Sequence, residues 1–148
     1  MPFPRRRLSH AIDHDRVRQA IEDAERRTSG EVRVSIAPYF WGSVEKAARR
    51  AFARLGMDRT RDRNGILFFI VPARRRFAVI GDEGIHAKVP PGFWRTVTEA
   101  VARRFREAEY TEGLVAGIEA VGRELAAHFP FDPATDRNEL ANEIDLDH

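Results

Sequence analysis

Residues 64–71 read Asn64-Gly65-Ile66-Leu67-Phe68-Phe69-Ile70-Val71, a turn signal followed by six consecutive apolar side chains. An unbroken apolar run of that length, with Pro72 directly after it, is the pattern of a strand covered on both faces. It predicts the central strand of a sheet layered between helices, and the rest of the chain is placed around it. Upstream, Glu31-Val32-Arg33-Val34-Ser35-Ile36-Ala37 alternates strictly, which predicts a strand with Val32, Val34 and Ile36 on the buried face. Downstream, Arg76-Phe77-Ala78-Val79-Ile80 reads as an antiparallel hairpin partner, the turn being made by Pro72 to Arg75.

Helical periodicity fills the intervals. Ile12, Val17, Ala20, Ile21 and Ala24 predict a helix over 13–27, with Asp13 or Ser9 as N-cap. Ser43 can cap a second, whose apolar face is Val44, Ala47, Ala48, Ala51, Phe52 and Leu55, and Gly56 stands where a left-handed C-terminal residue is favoured. Two more follow, over about 91–108 (Trp94, Val97, Val101, Phe105) and 111–129 (Leu114, Ile118, Val121, Leu125), the last stopped by Pro130. The order α-β-α-β-β-α-α, with a right-handed crossover between the first two strands, predicts an α/β fold: a three-layer αβα sandwich whose mixed sheet has three to four strands.

The 148 residues, 43% hydrophobic and 32% charged, have the composition of one globular domain. The absence of cysteine excludes a disulfide framework, a thiolate zinc site and a cysteine nucleophile. The net charge is only +2, but Asp132, Asp136, Glu139, Glu143, Asp145 and Asp147 face a single Arg137 in residues 132–148. The expected organisation is a basic segment over 1–12, an ordered domain over 13–131, and an acidic, flexible or loosely docked tail over 132–148. No apolar stretch approaches a membrane span, and Met1 to His10 lacks the apolar core of a secretory leader, so a soluble, cytoplasmic protein is expected.

With the first two strands parallel and the third antiparallel, the start of strand one, the start of strand two and the end of strand three share one edge. Three loops therefore converge, carrying Glu31, Asp58, Asp62, Asp82 and Glu83. Such oxygen-rich loops are how proteins hold calcium, although acids interleaved with Arg59, Arg61 and Arg63 can equally pair with those arginines or cap helices. No Walker loop, dinucleotide fingerprint or nucleophile elbow occurs. Arg5-Arg6-Arg7 and Arg74-Arg75-Arg76 can contact phosphates, which leaves anion or nucleic-acid binding as an alternative. Tyr39-Phe40-Trp41, after strand one, reads as a lid or a surface for a partner.

Four motifs in order carry a resemblance: Thr28-Ser29-Gly30-Glu31-Val32-Arg33-Val34, Asn64-Gly65-Ile66-Leu67, Gly81-Asp82-Glu83-Gly84-Ile85, and residues 105–114, Phe-Arg-Glu-Ala-Glu-Tyr-Thr-Glu-Gly-Leu. They resemble the TPM domain family, named from a plant thylakoid lumen protein, a photosystem II repair factor and a nematode acetylcholine-receptor modulator. Gly84-Ile85-His86, Phe93-Trp94, Phe129-Pro130-Phe131 and Asn138-Glu139-Leu140 point to its stand-alone bacterial subgroup. The resemblance covers about 13–131 and implies an αβα sandwich with a divalent-cation site, usually calcium, with magnesium possible. Asp82 and Asp58 match the pattern best, then Glu31, while Asp62 and Glu83 fall at variable positions. It also implies a choice of activities, a cation-binding module or an acid phosphatase; the expected function is a calcium-preferring module that regulates or docks a protein partner, with a metal-assisted acid phosphatase acting on phosphomonoesters as the alternative.

Overall fold

The six apolar side chains after Gly65 are buried on both faces of a four-stranded sheet in the computed structural model, which describes residues 12–37, 41–133 and 144–146. The strands are β1 (Glu31–Ile36), β2 (Gly65–Val71), β3 (Arg76–Gly81) and β4 (Asp145–Leu146), in the order β3-β2-β1-β4. β1 runs parallel to β2 with Glu31 opposite Gly65, and β2 is antiparallel to β3 with Val71 opposite Arg76. Five helices flank the sheet among the described residues: α1 (His14–Glu25), α2 (Val44–Arg54), α3 (Glu83–His86), α4 (Phe93–Phe105) and α5 (Tyr110–His128). The predicted α/β sandwich is therefore present. The predicted helix ends lie within one to three residues of the observed ones.

The two faces of the sheet enclose separate cores. Val32, Val34, Ile36, Ile66, Phe68 and Ile70 pack against α1, α4 and α5. Leu67, Phe69 and Val71 meet α2 and Met57 on the other side. Local chemistry sets the helix starts: Asp13 accepts from the Arg16 N–H at 3.1 Å and Ser43 from the Lys46 N–H at 3.2 Å. Gly56 is left-handed, φ 74°, as its place after the second helix predicts. Two features depart from the sequence reading. Residues 83–86, expected as part of a loop, form a single helical turn because the Asp82 carboxylate caps it, an element too short for any periodic signal. All six β1 residues are buried, although alternation predicts burial of only one face.

That second face of β1 holds a polar row. The Arg33 guanidinium reaches Glu25 at 2.6 Å and Glu31 at 3.0 Å, and the Arg33 and Glu31 side chains are each only 4% exposed. Glu25 also accepts from the Val32 N–H at 3.1 Å. Further along, the Ser35 hydroxyl donates to Asp145 at 2.8 Å, and Arg54 makes a two-pronged contact with the same carboxylate at 2.8 and 3.2 Å. These contacts anchor β4, which pairs parallel to β1 through Ser35–Asp145 and Ile36–Leu146. Residues 1–11 of the predicted basic segment and most of the acidic tail lie outside the described residues.

Candidate functional site

The predicted convergence of three loops is recorded in main-chain hydrogen bonds. The Glu31 N–H donates to the Asn64 carbonyl at 3.3 Å, the Asp82 N–H to the Gly65 carbonyl at 3.0 Å, and the Gly84 N–H to the Arg63 carbonyl at 2.9 Å. The Asn64 side chain adds a bond to the Ser29 hydroxyl at 3.2 Å. Gly84 has no room for a side chain, because a Cβ there would fall on the main-chain carbonyls of Asp62 and Arg63. Gly84→Ala should force these two segments apart and destabilise the protein by about 1–3 kcal/mol, as other overpacked sites do. Urea unfolding measures this; an unchanged midpoint would mean that the loops yield freely.

The side chains at this edge are organised around Arg63, one of the three loop arginines that the sequence offers as partners for the acids without singling it out. It takes the left-handed conformation, φ 50°. Its Nε and Nη2 donate to the two Asp82 oxygens at 2.7 and 2.9 Å, and its Nη1 lies 3.4 Å from Glu83. The hydrogen bond from Asp82 raises the Arg63 pKa above its usual value; partial desolvation opposes this, and the charges of Asp82, Glu83 and Asp58 add to it. Asp82 is buried and also accepts from the Glu83 N–H at 2.8 Å, so one carboxylate joins the arginine to the start of α3.

The other predicted residues lie in different surroundings. Asp62 pairs with its neighbour Arg61 at 3.3 Å on the surface. Glu31 turns to Arg33 in the buried row of β1. Asp58 is exposed on the short 3-10 turn Met57–Arg59. Within the same loop, Thr60 is 3% exposed and its hydroxyl has no hydrogen-bond partner among the described residues. Among the described residues no three acidic or histidine side chains are grouped closely enough to hold a metal ion as they stand. His86, the histidine nearest in sequence, stacks on Trp94 with ring centroids 5.0 Å apart. Of the aromatic cluster after β1, Trp41 is 75% exposed, while Tyr39 and Phe40 lie outside the described residues.

The model of the TPM domain matches residues 8–124. This chain belongs to the TPM domain family. The BA42 protein of the psychrophilic bacterium Bizionia argentinensis is similar throughout, with 34% identity, a TM-score of 0.84, and coverage of 92% of this chain and 95% of that one. Two more distant structures share the fold. The N-terminal domain of a P. gingivalis protein has 23% identity and a TM-score of 0.61, covering 75% of this chain and 72% of that one. The N-terminal domain of a Corynebacterium glutamicum protein has 15% identity and a TM-score of 0.60, covering 90% of this chain and 77% of that one. No curated protein matches the chain. As a TPM domain it contains, among the described residues, no helix long and apolar enough to cross a membrane.

Proposed function

We propose that this TPM domain is a divalent-cation-binding module, calcium preferred to magnesium, that regulates or docks a protein partner. The observation that supports this reading is the meeting, about Arg63, of loops that carry oxygen donors. A buried Asp82, nearby Glu83 and Asp58, and the buried, unpartnered Thr60 hydroxyl belong to loops that are bonded to one another. These donors fit a hard cation in kind, and carbonyl, hydroxyl and carboxylate oxygens on several loops suit the adaptable shell of calcium better than the strict octahedron of magnesium. A bound ion would supply positive charge where the Arg63 guanidinium now supplies it. Asp82 and Asp58 lead the assignment, with Asp62 and Glu83 beside them, and Glu31 joins only by leaving Arg33. Arg63 is therefore the group that a cation has to displace, which predicts weak binding that improves when the arginine is removed.

A thermal melt of chelator-treated protein with calcium, with magnesium and with neither tests this at constant ionic strength. Calcium at ten times its dissociation constant should add about 1.4 kcal/mol, a shift of about 3–6 °C for a domain this size. Asp82→Asn should abolish the shift while leaving the fold intact, since asparagine caps a helix as well as aspartate does. Arg63→Gln should enlarge it. An unchanged calcium response in Asp82→Asn would remove Asp82 from the site, and no response in any protein would overturn the cation reading. The phosphatase alternative predicts turnover of a generic phosphomonoester at acid pH that is lost in Asp82→Asn.

A further inference from the structure

The sheet ends on β3, and its outer edge carries no strand among the described residues. The Asp82 N–H bonds to Gly65, and in an antiparallel ladder such bonded pairs alternate. Arg76, Ala78 and Ile80 therefore direct their main-chain groups to β2, while Phe77, Val79 and Gly81 turn theirs outward. Long, regular edges of this kind invite pairing with another chain, and proteins usually blunt them with lysine, proline, a bulge or a covering element. Here the pairing with β2 continues without a bulge over all six residues, with no proline and with one charge, Arg76, at the first position.

This edge forms the floor of a cleft of about 350 Å³ between α2 and α4. On one side stands Arg49 of α2, and on the other Trp94 of α4 beside His86. A strand laid along β3 would thus find a wall for each of its two alternating sets of side chains. The Trp94 ring lies directly over Gly81, where a Cβ would collide with it, and offers an apolar surface at one end. At the other end Arg76 is exposed and has no ion pair among the described residues. Arg49 is neutralised on its own helix by Glu45 at 3.0 Å, so the charge left at the cleft is positive.

We propose that the open edge of β3 is a peptide-binding site, which takes an extended, acidic and alternately apolar segment of another protein as a fifth strand of the sheet. The main-chain groups of Phe77, Val79 and Gly81 supply the ladder, Trp94 an apolar wall, and Arg76 the preference for acid. This is the strand-addition mode of recognition, in which backbone hydrogen bonds bind and the walls select. The site adjoins the carboxylates about Arg63 at Gly81 but uses none of them, and its test runs in chelator, so its outcome does not depend on cation binding.

The probe is a fluorescein-labelled octapeptide alternating aspartate and valine, followed by fluorescence anisotropy, with a lysine–valine octapeptide as its counterpart. The acidic peptide should bind the native protein at least about tenfold tighter than the basic one. Arg76→Glu should remove that preference. Val79→Pro should weaken binding about tenfold or more, because the donor that proline deletes there faces the open edge and not β2, although the Val79 side chain also packs against the core. Should that variant fail to fold, the same peptide N-methylated at alternate residues, which keeps its charge and loses its ladder donors, must fail to bind the native protein. Absence of binding by the acidic peptide, equal binding of the basic one, or full binding of the N-methylated one would each overturn the proposal. Sedimentation of the native protein alone covers the remaining occupant: a dimer that Val79→Pro dissociates would assign the edge to a second copy of this chain and overturn the peptide reading.

Discussion

Arg33→Met is expected to lower the unfolding free energy by about 3–5 kcal/mol, the cost of removing one partner from a buried ion pair. The substitution keeps an unbranched apolar stem but leaves the Glu31 carboxylate, 4% exposed, without the guanidinium now 3.0 Å away, and it strips Glu25 of the same partner. Against a total stability of about 5–15 kcal/mol this is a large fraction. Urea denaturation at neutral pH should show a lower midpoint with an unchanged slope. The double variant Arg33→Met, Glu31→Gln should recover part of the loss, since it deletes the charge that the single variant strands. A single variant within about 0.5 kcal/mol of the parent would mean that water reaches Glu31 and that the row is not buried in solution.

Phe68→Ala is expected to cost about 3–5 kcal/mol through lost burial and the cavity left behind. Phe68 is fully buried at the middle of β2, and α5 approaches it so closely that a Cβ on Gly117 would lie 2.9 Å from its ring and 2.5 Å from Val101 of α4. Gly117 thus lets helix, helix and sheet meet at one point, and the aromatic ring fills what remains. Gly117→Ala alone should destabilise by overpacking. Combined with Phe68→Leu, which shortens the ring it would strike, it should cost less than the two single effects together. Strict additivity in denaturation midpoints would show that the two residues do not share this space.

The run 64–71 placed the sheet centre because no apolar segment of that length can face water, and the alternation in 31–37 placed its parallel neighbour. Together they brought residues 31, 58–65 and 81–84 to one edge, where the structure has them. The side-chain pairings at that edge were not legible in the same way. The sequence offers Asp82 three arginines in one loop, and which of them it holds depends on the left-handed turn at Arg63, nineteen residues away. Glu31 read as a loop carboxylate beside the others, yet it belongs to the buried row with Arg33. The β3 edge was equally hidden, since strand periodicity says which residues share a face and nothing about which neighbour is missing.

Periodicity and turn chemistry by themselves determined the types and order of the seven longer elements, the two apolar faces of the sheet and the αβα layering, because each of these follows from residues close together in the chain. Only the tertiary structure decided that both faces of β1 are covered, that Arg63 rather than Arg59 or Arg61 holds Asp82, and that β3, among the described residues, is left open between two helices. Each of those depends on segments distant in sequence meeting in space, and a short polar side chain carries no local signal of the partner that it will meet.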